Sequence, residues 1–226
     1  MRSFDALTFD LDGTLVETNG EIAEAVNRTL MDLGLPVRSL EEITALIGNG
    51  LHELMIKLRL RLISERPELE ASLRVEDVLA RLDAHYAQTV GTTGQPYPGC
   101  VDALTRLRAA GVKLACVTNK EGRYAERVLQ AAGIDAWFDL LIAGDTLAHK
   151  KPHASVLRYA SDTLGVPVER MIHVGDSRTD VDAARNAGVL AWTVPYGYNA
   201  GEPVALCNPD RMFERLDEVA DVVLAA

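Results

Sequence analysis

Cysteine is scarce in this 226-residue chain. The three present, Cys100, Cys116 and Cys207, form no close pair, which argues against a disulfide framework and against a thiolate zinc site. Cys116 stands in an apolar run and reads as an inert core thiol. Positive charge is short as well. Lys and Arg number 23 against 33 Asp and Glu, for a formal net charge of −10. That field repels nucleic acid and anionic membrane surfaces, so neither is an expected partner. No run approaches the ~18 apolar residues of a membrane span. Asp5 and Asp10 interrupt any signal-peptide pattern early, and the cytoplasm is the expected compartment. Internal repeats and low-complexity segments are missing too. What is there, 48% hydrophobic and 25% charged residues, suits a globular protein with a full core. The length fits one large domain, or a core domain carrying a smaller insert.

Five short apolar runs read as buried strands: 6–11, 112–117, 140–143, 171–174 and 190–194. Helical periodicity separates the later four. Val101, Leu104 and Leu107 precede Gly111. Tyr124, Val128 and Leu129 precede Gly133. Val156, Leu157, Ala160 and Leu164 precede Gly165. A glycine just past the last periodic residue ends a helix cheaply, because it takes the left-handed conformation. Strands alternating with such helices predict a parallel sheet covered on both faces. Between Val16 and roughly Pro96 the pattern is helical only. Four amphipathic stretches centre on Val26, Ile43, Leu58 and Leu82, enough for a small bundle. The expected architecture is therefore α/β: a Rossmann-like core of residues 1–16 and 97–226, with an inserted α-helical cap and its linkers over 17–96.

The chemistry gathers at predicted strand ends, where open α/β sheets bind ligands. Asp10 and Asp12 close the first strand in Phe9-Asp10-Leu11-Asp12-Gly13-Thr14. Alone, an Asp-Gly pair there is most often just a turn. Asp176 changes the odds by closing the fourth strand in Gly175-Asp176-Ser177-Arg178-Thr179-Asp180. Thr179 is the expected cap of the helix that follows, and an acidic Asp180 in its first turn favours the dipole. Carboxylates from Asp10 and Asp176, a backbone carbonyl and waters suit Mg²⁺. The second strand ends in Thr118-Asn119-Lys120, a hydroxyl and backbone N–H groups able to hold phosphate oxygens. One of Lys150 and Lys151, ahead of the next helix, could neutralise phosphate and carboxylate together. Threonines close many strands and lysines sit on many solvated turns, so each piece is weak singly. Their arrival in order at four strand ends is not.

Those motifs resemble the haloacid-dehalogenase superfamily. Over nearly the whole length, with Ile47-Gly48-Asn49-Gly50 and Tyr196-Gly197-Tyr198-Asn199 added, the chain is similar to its bacterial phosphoglycolate phosphatase branch. The resemblance implies a Mg²⁺-dependent phosphomonoester hydrolase whose partner is a small anionic phosphate ester, 2-phosphoglycolate by branch. It implies Asp10 as nucleophile forming an aspartyl-phosphate and Asp12 as acid, then base. Thr118, Asn119 and Lys151 would hold the phosphoryl group. Asp10, the Asp12 carbonyl and Asp176 would bind the metal, with Asp180 in support. Gly48, Asn49 and Gly50 would form the substrate-facing loop of a mobile cap. A phosphatase of another small metabolite or a sugar-phosphate mutase shares these motifs. A dehalogenase would need neither Asp12 nor metal, and a mere phospho-acceptor would need no proton donor.

Overall fold

The computed structural model describes residues 4–225. Its centre is a six-stranded sheet in which every pairing is parallel. In chain order the strands are β1 (Ala6–Phe9), β4 (Lys113–Val117), β5 (Leu140–Ile142), β6 (Met171–Gly175), β7 (Leu190–Thr193) and β8 (Arg211–Met212). Their spatial order is β5-β4-β1-β6-β7-β8. β1 therefore lies centrally, between β4 and β6, with Phe9 in register with Cys116 and Val174.

Side chains alternate across a strand, and here both faces are apolar. Leu7, Phe9, Leu114, Cys116, Ile172 and Val174 point to one face. There they meet α5 (Cys100–Ala109), α6 (Gly122–Ala131) and α9 (Leu216–Ala225). Ala6, Ala115, Val117 and Met171 point to the other, against α7 (Ser155–Leu164) and α8 (Arg178–Ala187). Each fully buried Leu or Phe contributes about 1.5–3 kcal/mol of transfer free energy.

The chain leaves this core after β1 and returns before α5. In between lie α1 (Asn19–Asp32), α2 (Leu40–Thr44), α3 (Leu51–Glu65) and α4 (Val75–Thr89), with α1 packed on α4 and α2. The expectation of helices alone between Val16 and Pro96 needs correcting. The outgoing and returning strands, β2 (Val16–Glu17) and β3 (Gln95–Pro96), pair antiparallel as a short ribbon. Two residues per strand carry no readable period. The second helix is also shorter than its apolar pattern, since α2 ends at Thr44 and Leu46 and Ile47 continue in turns. Thr179 is not the cap of α8. Ser177 is, and Asp180 accepts its backbone N–H at 3.1 Å and its hydroxyl at 2.6 Å.

Candidate active site

The carboxyl ends of β1, β4 and β6 and the loop before α7 meet in one cleft, as parallel topology requires. Asp10 is held by its own N–H, which donates to Val174 at 2.9 Å. Its carboxylate Oδ1 lies 2.8 Å from Lys151 Nζ. Lys151 is nearly inaccessible and also donates to Asp180 Oδ1 at 2.7 Å. One ammonium thus bridges two carboxylates. Lys150, the other candidate, points away from this pair and donates to the Asn49 carbonyl at 2.5 Å.

Asp176 is buried and fully engaged. Its Oδ1 accepts from Thr14 Oγ1 at 2.7 Å and its Oδ2 from the Tyr198 backbone N–H. The packing around it excludes any side chain at two positions. A Cβ on Gly13, where φ is +85°, would stand 2.6 Å from Asp176 Oδ2, and one on Gly197 would run into both that atom and the Gly13 carbonyl. Asp180 Oδ2 takes the N–H groups of Asp176 and Ser177 and the Ser177 hydroxyl. Its Oδ1 faces Lys151 and, at 3.2 Å, His173 Nε2. Asp180 therefore has its oxygens spent on positioning, as a supporting residue would.

Electrostatics follow from this packing. Burial pushes the Asp10 carboxyl up from 3.8 to about 7, against the pull of Lys151. Burial, with Asp180 and Asp10 adding, also raises Asp176 well above its ordinary value. Burial would raise Asp180 too, but Lys151 and His173 outweigh it and hold that carboxyl far below the usual range. Asp10, Asp176 and Asp180 offer oxygens all within 4.8 Å of one another. Two carboxylates disfavoured as anions, Asp10 half-buried and Asp176 buried, with an oxygen-only donor set, fit a hard divalent cation.

Asp12 lines the same cleft with partners of its own. Its carboxylate accepts Lys120 Nζ at 2.7 and 2.9 Å and Thr18 Oγ1 at 2.6 Å. Thr118 is buried at the end of β4, where its hydroxyl accepts the Lys120 N–H at 3.1 Å. The Asn119 amide donates to the carbonyls of Lys151 at 3.0 Å and Gly48 at 3.3 Å. The loop Gly48-Asn49-Gly50 lies over the strand ends, touching Asn119, Lys150 and, at 3.5 Å, Thr179. The predicted residues are thus brought together in one cleft. The sequence reading left out the partners that orient them: Thr14, Thr18, Lys120, His173 and Tyr198. Lys120 and Tyr198 lay inside quoted motifs, but nothing local says which way they turn. The Tyr198 hydroxyl accepts the N–H groups of Thr18 and Asn19 from across the cleft.

A family model for haloacid dehalogenase-like hydrolases matches residues 4–188. The phosphoglycolate phosphatase of Colwellia psychrerythraea is 38% identical over 97% of this chain and 96% of its own. That of Thiobacillus denitrificans is 34% identical over the whole of both. A solved structure from Haemophilus somnus, described as a predicted phosphoglycolate phosphatase, superposes with a TM-score of 0.91. It is 30% identical and covers 98% of this chain and 99% of its own.

Proposed function

The chain belongs to the haloacid dehalogenase-like hydrolases, and from that premise we propose that it is a Mg²⁺-dependent phosphomonoester hydrolase acting on 2-phosphoglycolate. The observation that carries this is the single cleft where Asp10, Asp12, Thr118 and Asp176 converge, with Lys151 paired to Asp10 beneath it and each held by partners that fix its orientation. In this reading residues 17–96 are a cap on a core of residues 1–16 and 97–226.

The chemistry runs in two halves. Asp10 attacks phosphorus, the bond to the leaving oxygen breaks, and Asp12 gives that oxygen its proton. Asp12 then takes a proton from water, the hydroxide oxygen bonds to phosphorus, and Asp10 leaves with its carboxylate restored. Lys151 holds Asp10 in place and offsets its charge against the incoming anion, and Thr118 offers its hydroxyl to the phosphoryl oxygens. Asp10, the Asp12 carbonyl and Asp176 would hold Mg²⁺, which supplies further charge compensation when bound. Splitting the reaction suits phosphate monoesters, among the slowest uncatalysed hydrolyses, with enzymic accelerations up to ~10²¹.

Two things favour a small substrate. The full-length relatives are named for phosphoglycolate. The cleft beneath Gly48 and Gly50 is narrow, with a cavity volume of about 40 Å³. Phosphate release from a panel of metabolite esters, with Mg²⁺ and with a chelator, tests the reading. The expected result is metal-dependent release, fastest from 2-phosphoglycolate. A larger sugar phosphate turned over faster, or release indifferent to chelation, would contradict it.

A further inference from the structure

The cleft has a cap-side half that the phosphoryl chemistry leaves unused. Its walls are mostly apolar, from Ile22, Leu51, Leu54 and the rings of Tyr86 and Tyr124, with Glu121 the acidic side chain at their edge. Among the described residues, one cationic side chain lines the cavity, and it is Lys120. Burying an ammonium is costly unless it is paired. Lys120 is 7% exposed and meets three things there. It donates to both Asp12 oxygens, it lies against Tyr86 with Nζ 5.2 Å from the ring centre and in reach of the phenol oxygen, and Glu21 adds attraction from further off. Tyr86 comes from α4 and Lys120 from the end of β4, so this corner joins the helical insert to the sheet.

A second observation lies beside it. The Tyr86 hydroxyl is fully buried against the Lys120 ammonium, and its own proton has no acceptor. Buried phenols normally find one, so a donor left over on a cavity wall points to an absent acceptor. Glu21 does not fill that role. It is buried outside the cavity lining, with Oε2 on the Gly91 N–H at 2.9 Å and Oε1 forming no hydrogen bond to the phenol, and burial raises its carboxyl toward the neutral form.

Asp12 fixes what occupies this corner. It protonates the leaving oxygen, so the leaving group extends from Asp12 toward its neighbours, which are Lys120 and Tyr86. We propose that Lys120 and the Tyr86 hydroxyl are the specificity determinants of the enzyme, receiving a carboxylate carried by the leaving alcohol. One ammonium and one hydroxyl match the two oxygens of a carboxylate, and the narrow cleft favours a short link between it and the ester oxygen. On binding, the substrate carboxylate shares Lys120 with Asp12, so the residue that identifies the leaving group also touches the acid that protonates it. This inference rests on the phosphatase reading and extends it to the part of the substrate that does not react.

The test compares 2-phosphoglycolate with ethyl phosphate, which has the same two-carbon length and lacks the carboxylate. The readout is the ratio of their kcat/KM values in the parent, Lys120→Met and Tyr86→Phe. Sites built to bond a polar group discriminate strongly against analogues without it. The parent is expected to favour 2-phosphoglycolate by at least about 1,000-fold. Lys120→Met should cut that ratio by about 100-fold, beyond any loss common to both esters, and Tyr86→Phe by about fivefold. Tyr86→Phe removes one atom from a packed ring, so it decides the matter should Lys120→Met fail to fold. A parent that hydrolyses both esters equally, or a ratio unmoved in a folded variant, overturns the assignment while the phosphatase reading stands. No metal-dependent release from either ester overturns both.

Discussion

Asp10 and Asp180 are both carboxylates on Lys151, yet the protein treats them oppositely. Asp10 has few bonds and a raised pKa; Asp180 has five donors around it and a depressed one. A nucleophile must stay open to phosphorus, whereas a positioning group should not move. Asp180→Asn would leave Lys151 and His173 without their shared anion inside the protein. Breaking such a buried pair costs about 3–5 kcal/mol, which urea unfolding would register. A variant as stable as its parent would show that this pair does not hold the site. At this scale the sequence was legible for residues that strand ends deliver, Asp10, Asp12 and Asp176. It named no partner for Thr14, Thr18 or His173. The partner of Thr14 lies across the fold, Asp176 being 162 positions away, and no local period encodes such a contact.

Among the elements, the interior strands were legible because both faces are buried and their apolar runs are continuous. The edge was not. β8 is two exposed residues, and the β2–β3 ribbon is no longer per strand. Two loops carry the consequences. The loop after β7 threads Gly197 against Asp176 and Gly13. Gly197→Ala should displace Asp176 and raise the Mg²⁺ concentration needed for half-maximal activity by about tenfold or more. A titration of activity against Mg²⁺ checks this, and an unchanged midpoint would mean that the loop yields. The Gly48-Asn49-Gly50 loop approaches Asn119 and Lys150 through backbone carbonyls as well as the Asn49 side chain. Asn49→Ala is expected to change relative kcat/KM across the ester panel more than it slows a generic aryl phosphate. Equal losses on both would remove its role in selection.

For the molecule as a whole, the net charge of −10 makes a local cationic centre necessary if an anionic ester is to bind. The two buried lysines provide it, together with the proposed metal. The same crowding of carboxylates has a price in stability that depends on pH. Between about pH 4 and 7 the folded protein holds a proton on Asp10 that the unfolded chain has lost, since the folded value is raised from 3.8 to about 7. That contribution to stability is therefore present at low pH and lost as pH rises through 7. A bound divalent cation replaces the proton. Mg²⁺ should raise the melting temperature, relative to chelator, more at pH 8 than at pH 5. Equal increments at both would place the metal elsewhere. The most direct test of the central claim follows the phosphoryl group itself. Labelled 2-phosphoglycolate is mixed with the enzyme, turnover is stopped with acid within milliseconds, and the peptides are mapped. The account predicts label on the peptide containing Asp10, chased off by unlabelled substrate and absent from Asp10→Asn, whose turnover falls at least about a thousandfold. Free phosphate released at full rate with no label on the protein, or with label on another residue, would contradict it.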